Sequence, residues 1–201
     1  MPIDHDRLRR RFLQALAATT AAGLATGLPR VAFGQGPLPL APACDDGDEP
    51  TPRQTEGPFF TPDSPERADL REPGVEGTPI TLAGFALTRD CRPIPGALVE
   101  LWHADDAGRY DNDGYRLRGH QFTDAEGRYR FATIVPGLYT GRTRHFHLKY
   151  QAPNQPVLTT QLYFPGEPAN QRDRIFSPEL LVELTEGQEM MARFDAVLDV
   201  A

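Results

Sequence analysis

The sequence predicts an all-β chain: an antiparallel β-sandwich of about seven to eight strands with long loops and an N-terminal arm. Three observations lead there. The 201 residues include 20 Pro and 18 Gly, a density of turn formers that suits strands and loops better than packed helices. Short apolar runs recur between Asp-Gly, Pro-Gly and Glu-Gly turns, several alternating with a period of two. No helical pattern of comparable strength stands beside them, and no Gly-rich phosphate loop opens a helix, so nucleotide chemistry has no support. The length suits one active unit with a single core.

Residues 1–34 read as a twin-arginine-type signal peptide. Arg9-Arg10-Arg11-Phe12-Leu13-Gln14 precedes an Ala/Thr/Gly/Leu run from Ala15 to Leu28, and Ala32-Phe33-Gly34 is the expected cleavage site. The run is too short and too rich in Gly and Thr for a stable membrane span. Export of a folded chain suits a cofactor loaded beforehand, and places the protein in the periplasm or outside the cell. Removing the segment takes away five of 21 basic and two of 28 acidic side chains, leaving a formal charge of −10. Such a surface repels phosphate backbones, so no nucleic-acid partner is expected. Cys44 and Cys91 both lie in the exported part, where a disulfide is permitted, and they are expected to pair and tie the N-terminal tail to the domain.

Residues 35–65 are expected to form a Pro-rich N-terminal arm, with the acidic patch Asp45-Asp46-Gly47-Asp48-Glu49 and no usable hydrophobic period. The sandwich domain then occupies residues 66–201, with strands expected over 80–88, 97–103, 129–134, 145–151, 157–164, 180–184 and 192–200. In the last of these Ala192, Phe194, Ala196, Leu198 and Val200 share one face, with Arg193, Asp195 and Asp199 on the other.

The sharpest chemical feature is the strand-like run from Arg142 to Tyr150. Positions two apart share a face, so His145 and His147 converge while Phe146, Leu148 and Tyr150 turn the opposite way. Neutral imidazoles bind first-row metals well. Taken alone, the pair also fits two histidines in ordinary hydrogen bonds on a polar sheet face. A cupin-type site wants a Glu soon after the pair and a later His, yet 148–157 holds no acidic residue and no His follows His147. A two-His-one-carboxylate site likewise lacks its acid. Tyr110 and Tyr139 are the candidate oxygen donors, phenolate being a hard anion that favours a ferric ion. Tyr129 and Tyr150 read as core residues, and Tyr115 as a loop aromatic.

Further motifs surround these residues. They are Thr55-Glu56-Gly57-Pro58-Phe59-Phe60, the run from Pro93 to Asp105, Gly108-Arg109-Tyr110, Arg118-Gly119, the run from Thr123 to Gly127, the run from Thr133 to Tyr139, Arg142-x-x-His145-x-His147, and Thr160-Gln161-Leu162-Tyr163-Phe164. In this order they resemble the intradiol ring-cleavage dioxygenase family over nearly all of residues 50–165, and most closely its compact, secreted branch. The resemblance implies one non-haem Fe(III) per chain, held by Tyr110, Tyr139, His145 and His147. It also implies Arg142 and Gln161 beside the substrate, and Tyr139 as acceptor of a substrate proton. The expected reaction joins a small aromatic diol and O2 to give a cis,cis-muconate-type diacid. A homodimer is the expected assembly, and His103, Phe59, Phe60 and Tyr163 are expected to shape substrate choice. The competing reading is a non-catalytic, transthyretin-like β-sandwich binding module. It accounts for the turns of 81–140 but leaves His145, His147, Arg142, Gln161 and Glu56-Gly57-Pro58 without a role. A zinc hydrolase built on the same His pair lacks an acidic base.

Overall fold

Alternation and turn chemistry produce nine strands among the described residues. The computed structural model describes Cys44 and residues 49–200; the signal expected at 1–34 and most of the arm before Glu49 lie outside them. The strands are β1 (Pro79–Leu87), β2 (Leu98–Trp102), β3 (Arg118–Phe122), β4 (Arg128–Ile134), β5 (His145–Gln151), β6 (Leu158–Tyr163), β7 (Glu183–Thr185), β8 (Met190–Arg193) and β9 (Ala196–Val197). Two single 3-10 turns, Pro168–Gln171 and Pro178–Leu180, stand between β6 and β7.

Four strands form one sheet in the order β3-β2-β5-β6, and the other five form a second sheet in the order β4-β1-β8-β7, with β9 also on β1. The first sheet is antiparallel throughout. In the second, β1 pairs in parallel with β8 and β9, which departs from the all-antiparallel expectation. Alternation encodes which face a residue takes, not the direction of its neighbour. Between the sheets lies a core that includes Leu82, Tyr129, Phe131, Val99, Leu101, Phe146, Leu148 and Tyr150. Tyr129 and Tyr150, expected inside, meet hydroxyl to hydroxyl at 2.9 Å, and Tyr129 donates to the Phe194 carbonyl at 2.7 Å.

The run 192–200 is not one strand. It breaks between β8 and β9, where Phe194 N donates to the Ala83 carbonyl and the Asp195 carboxylate accepts from Phe85 N at 3.1 Å. A side chain thus takes over one rung of the ladder, which lets the chain bulge and continue along β1.

The outer face of the four-stranded sheet is a floor of cross-strand rows. Arg118, Trp102, His147 and Gln161 are register partners across β3, β2, β5 and β6; one row along, His120, Glu100, Lys149 and Thr159 align, and His145 pairs with Tyr163 at the other end. The described part of the arm crosses this floor. Gln54 N donates to Thr159 O, Thr160 Oγ1 to Pro52 O, and Gln161 Nε2 to Thr55 O. The arm residue Glu56 is ion-paired with Lys149, whose ammonium also sits 3.8 Å above the Phe60 ring. Cys44 and Cys91 are disulfide-bonded, the pairing expected from the sequence.

Candidate metal centre

Strand β5 delivers both histidines to the covered floor, while its alternate residues enter the core. His145 and His147 are 4% and 3% exposed, and their Nε2 atoms stand 3.1 Å apart. The Tyr110 hydroxyl lies 3.3 Å from His145 Nε2. Tyr139 is in ring contact with Tyr110, at 5.9 Å between centroids, and with Phe59 at 5.3 Å. Its hydroxyl makes no hydrogen bond to another described residue. Phe59 stacks on Tyr110 at 4.5 Å and Trp102 on His147 at 4.9 Å, so an aromatic wall encloses the two imidazoles.

Both tyrosines sit on loops that interlock through glycine. The Asp105 carboxylate accepts the N–H groups of Ala107 and Arg109, curling the loop that leads to Tyr110, and Gly137 N donates to Asp105 O at 2.7 Å. A Cβ on Gly108 would stand 2.2 Å from the Leu138 carbonyl oxygen, and one on Gly137 would stand 2.3 Å from that of Asp106. Only two glycines let the loops approach so closely. On the arm side, Gly57 has φ +73° and passes the His147 ring, where a Cβ would lie 3.4 Å from Cε1.

Electrostatics favour neutral imidazoles. Burial lowers His145 to about 4, although the bond from its Nδ1 to the Thr143 carbonyl (2.6 Å) works the other way, and Arg142 lowers it further. Burial, then His145 and Arg142, hold His147 well below its ordinary value. With Nδ1 donating to Thr143, His145 Nε2 presents a lone pair. Nδ1 of His147 is buried without a partner. If it carries the proton, two Nε2 lone pairs face each other; if Nε2 carries it, His147 competes with Tyr110 for one lone pair. A shared cation removes that conflict. At 3.1 Å apart, the two Nε2 atoms are close enough for both to face one ion. Among the described residues no three His, Cys, Asp or Glu side chains gather to hold a metal, so an ion held here would need tyrosine oxygen beside the imidazoles. Burial pushes the Tyr110 hydroxyl upward, against Arg142 and Arg118, so its ionisation calls for a nearby positive charge.

Arg142 and Gln161, which the family resemblance sets beside the substrate, meet here: Arg142 Nη2 donates to Gln161 Oε1 at 2.6 Å. Tyr163 joins them, its hydroxyl 3.2 Å from the same oxygen. Phe59 and Tyr163 therefore border the cluster, and Phe60 packs on Trp102 at 4.9 Å. His103 lines a cavity together with Tyr110, and its ring is fixed there by structural bonds. It is 1% exposed, its Nδ1 donates to Ala104 O and its Nε2 accepts from Thr133 Oγ1 at 2.6 Å, and its ring edge meets Phe146 of the core. Burial lowers it to about 4, so it is a neutral structural link. Asp173, which sequence reasoning missed, accepts from Arg142 Nε at 2.8 Å. It lies in an irregular segment with no alternation or motif to flag it.

The family model described as Dioxygenase matches residues 55–200. This sandwich, with two imidazoles and two phenols on its covered face, belongs to the intradiol ring-cleavage dioxygenase family. The chain is 32% identical over 144 residues to catechol 1,2-dioxygenase 2 of Acinetobacter lwoffii, which is 59% of this chain and 52% of that protein. It is 34% identical over 152 residues to the protocatechuate 3,4-dioxygenase beta chain of Burkholderia cepacia, covering 61% of this chain and 65% of that one. Among solved structures, the dioxygenase domain of a dioxygenase and carbohydrate-binding protein fusion from the cellulolytic bacterium Streptomyces sp. SirexAA-E superposes with a TM-score of 0.74 at 53% identity, over 76% of this chain and 100% of that chain. The chain spans about half the length of the first two curated relatives.

Proposed function

We propose that the protein is a non-haem Fe(III) dioxygenase that opens a small aromatic diol between its two hydroxylated carbons, consuming O2 and yielding a cis,cis-muconate-type diacid. The observation that carries this reading is the convergence of Tyr110 Oη, His145 Nε2 and His147 Nε2, each within 3.3 Å of the next, beside Tyr139. Relatives named as catechol, hydroxyquinol and protocatechuate dioxygenases support the substrate class. Tyr110, Tyr139, His145 and His147 would hold one iron per chain. When bound, ferric iron supplies Lewis acidity that draws electron density from a chelated diol and readies a ring carbon for O2.

The surrounding residues have separable tasks. Tyr139 Oη makes no structural hydrogen bond to described residues; as a phenolate it would accept a hydroxyl proton from the incoming diol and become the phenol. The permanent cation Arg142 stabilises negative charge that builds beside the cluster, and Gln161 orients it. Phe59, Trp102 and the arm keep water from the imidazoles. We further read the protein as exported: the paired arginines suggest it, and the Cys44–Cys91 bond supports an oxidising compartment.

The test is product analysis under labelled oxygen. Iron-loaded protein is given catechol, protocatechuate and hydroxyquinol under 18-oxygen gas. At least one is expected to be converted to the diacid opened between its hydroxyls, with both label atoms incorporated. No O2 uptake with any of the three, or opening beside the diol instead of within it, would overturn the reading.

A further inference from the structure

We propose that Asp173 is a positioning residue that holds the Arg142 guanidinium in register with the Tyr110, His145 and His147 cluster. The inference rests on the reading of Arg142 given above. Arg142 stands in the turn before β5, three residues ahead of His145, where nothing in the backbone fixes a long side chain. Two contacts fix it instead. Nε donates to Asp173 Oδ2 at 2.8 Å, and Nη2 donates to Gln161 Oε1 at 2.6 Å and reaches the Tyr163 hydroxyl at 3.5 Å. A planar guanidinium held at Nε and Nη2 cannot turn about its last bonds. Its third nitrogen, Nη1, has no partner among the described residues. That edge is left for a ligand, and the Arg142 charge acts on Tyr110, His145 and His147.

Asp173 is built for the task. Its side chain is 2% exposed against 20% for Arg142. Oδ2 also accepts from Thr143 N at 2.9 Å, and Oδ1 from Ile175 N at 3.1 Å. Burial alone would raise the carboxyl, but the two N–H groups and Arg142 outweigh it and keep it ionised. The carboxylate is thereby clamped to Arg142 and Thr143 just ahead of β5, so the arginine and the imidazoles move as one unit. A surface ion pair would show neither the burial nor the backbone clamp.

The experiment is a kinetic double-mutant cycle on the iron-loaded full chain with whichever diol it turns over best. Misplacing a charge by about 1 Å can cost about 100-fold in rate, so Asp173→Asn is expected to lower kcat by about 10- to 100-fold. KM should stay within about threefold and bound iron should be unchanged, because Arg142 acts on developing charge and not on chelation. In an Arg142→Lys background, which lacks Nε–H, the same change should cost less than about twofold. An unchanged kcat, or an equal loss in both backgrounds, would overturn the proposal. Should the Asn variant not fold, Asp173→Glu keeps the charge, displaces it by one methylene, and is judged by the same numbers. If the wild-type protein opens no diol, the functional reading fails by itself. The position of Arg142 in a crystal structure of the variant then decides: displaced guanidinium supports the role of Asp173, and an unmoved one refutes it.

Discussion

His145 and His147 differ in one hydrogen bond. The Thr143 carbonyl fixes the tautomer of the first, while nothing among the described residues binds Nδ1 of the second, which is held by packing between Trp102 and the arm at Gly57. Under the proposed function, His147→Ala should lower bound iron by about tenfold or more, as measured by metal analysis of the purified variant. Tyr139→Phe should keep the iron and slow diol binding, seen as a slower stopped-flow absorbance change. A His147→Ala protein with full iron and full activity would remove the imidazole pair from the account. The His-x-His spacing was legible because β5 is a regular strand, where alternation converts sequence directly into facing. Tyr110 and Tyr139 were not legible by spacing, since they sit on loops, and motif resemblance alone singled them out. Asp173 had neither signal, and the motif that holds His103 does not show that Thr133 and Ala104 absorb both its nitrogens while it lines the Tyr110 cavity.

Among the elements, the strands that alternate cleanly were visible in advance and those made by their neighbours were not. Arg118-Gly119-His120-Gln121-Phe122 has no apolar period. It becomes β3 because β2 offers an edge on one side, and on the other side His120 N donates to Pro65 O while Arg67 N donates to His120 O. The run 192–200 alternates well, yet breaks where Asp195 replaces a backbone acceptor. Gly84 makes that break possible, since a Cβ there would stand 1.7 Å from the Phe194 carbonyl oxygen. Gly84→Ala is expected to cost about 3 kcal/mol, read from the urea midpoint; a loss below about 0.5 kcal/mol would mean that β1 and the C-terminal strands are not so tightly joined. In the row below His147, burial raises the Glu100 carboxyl, against Ser64, Lys149, His120 and Arg118. A carboxyl raised in the folded state contributes its stability below its unfolded value of about 4.3 and loses it as pH climbs through the folded value. Glu100→Gln, which stays neutral, should therefore gain on the wild type between about pH 4.3 and neutrality. Urea midpoints that run parallel at both ends of that window would contradict this.

For the molecule as a whole, the arm and the disulfide turn a β-sandwich into a closed site. The Cys44–Cys91 bond spans a sequence separation of 47 residues and ties the arm to the connection between β1 and β2. Loop-closure entropy for such a span is worth about 2–4 kcal/mol. A Cys44→Ser, Cys91→Ser double variant should melt on the order of 10 °C lower, whereas an unchanged melting temperature would show that the arm's hydrogen bonds suffice without the bond. The class of fold was legible because Pro, Gly and alternation report it locally. Strand direction in the second sheet was not, because it depends on the route by which β7 and β8 return to β1. At the centre of the molecule, the sandwich supplies two imidazoles and its loops supply two phenols. The visible spectrum of the iron-loaded protein tests that most directly. The iron-loaded protein is expected to be wine-red, coloured by tyrosinate-to-iron charge transfer, with a band that shifts on anaerobic addition of catechol and bleaches when air is admitted. A colourless protein holding one iron per chain would contradict it.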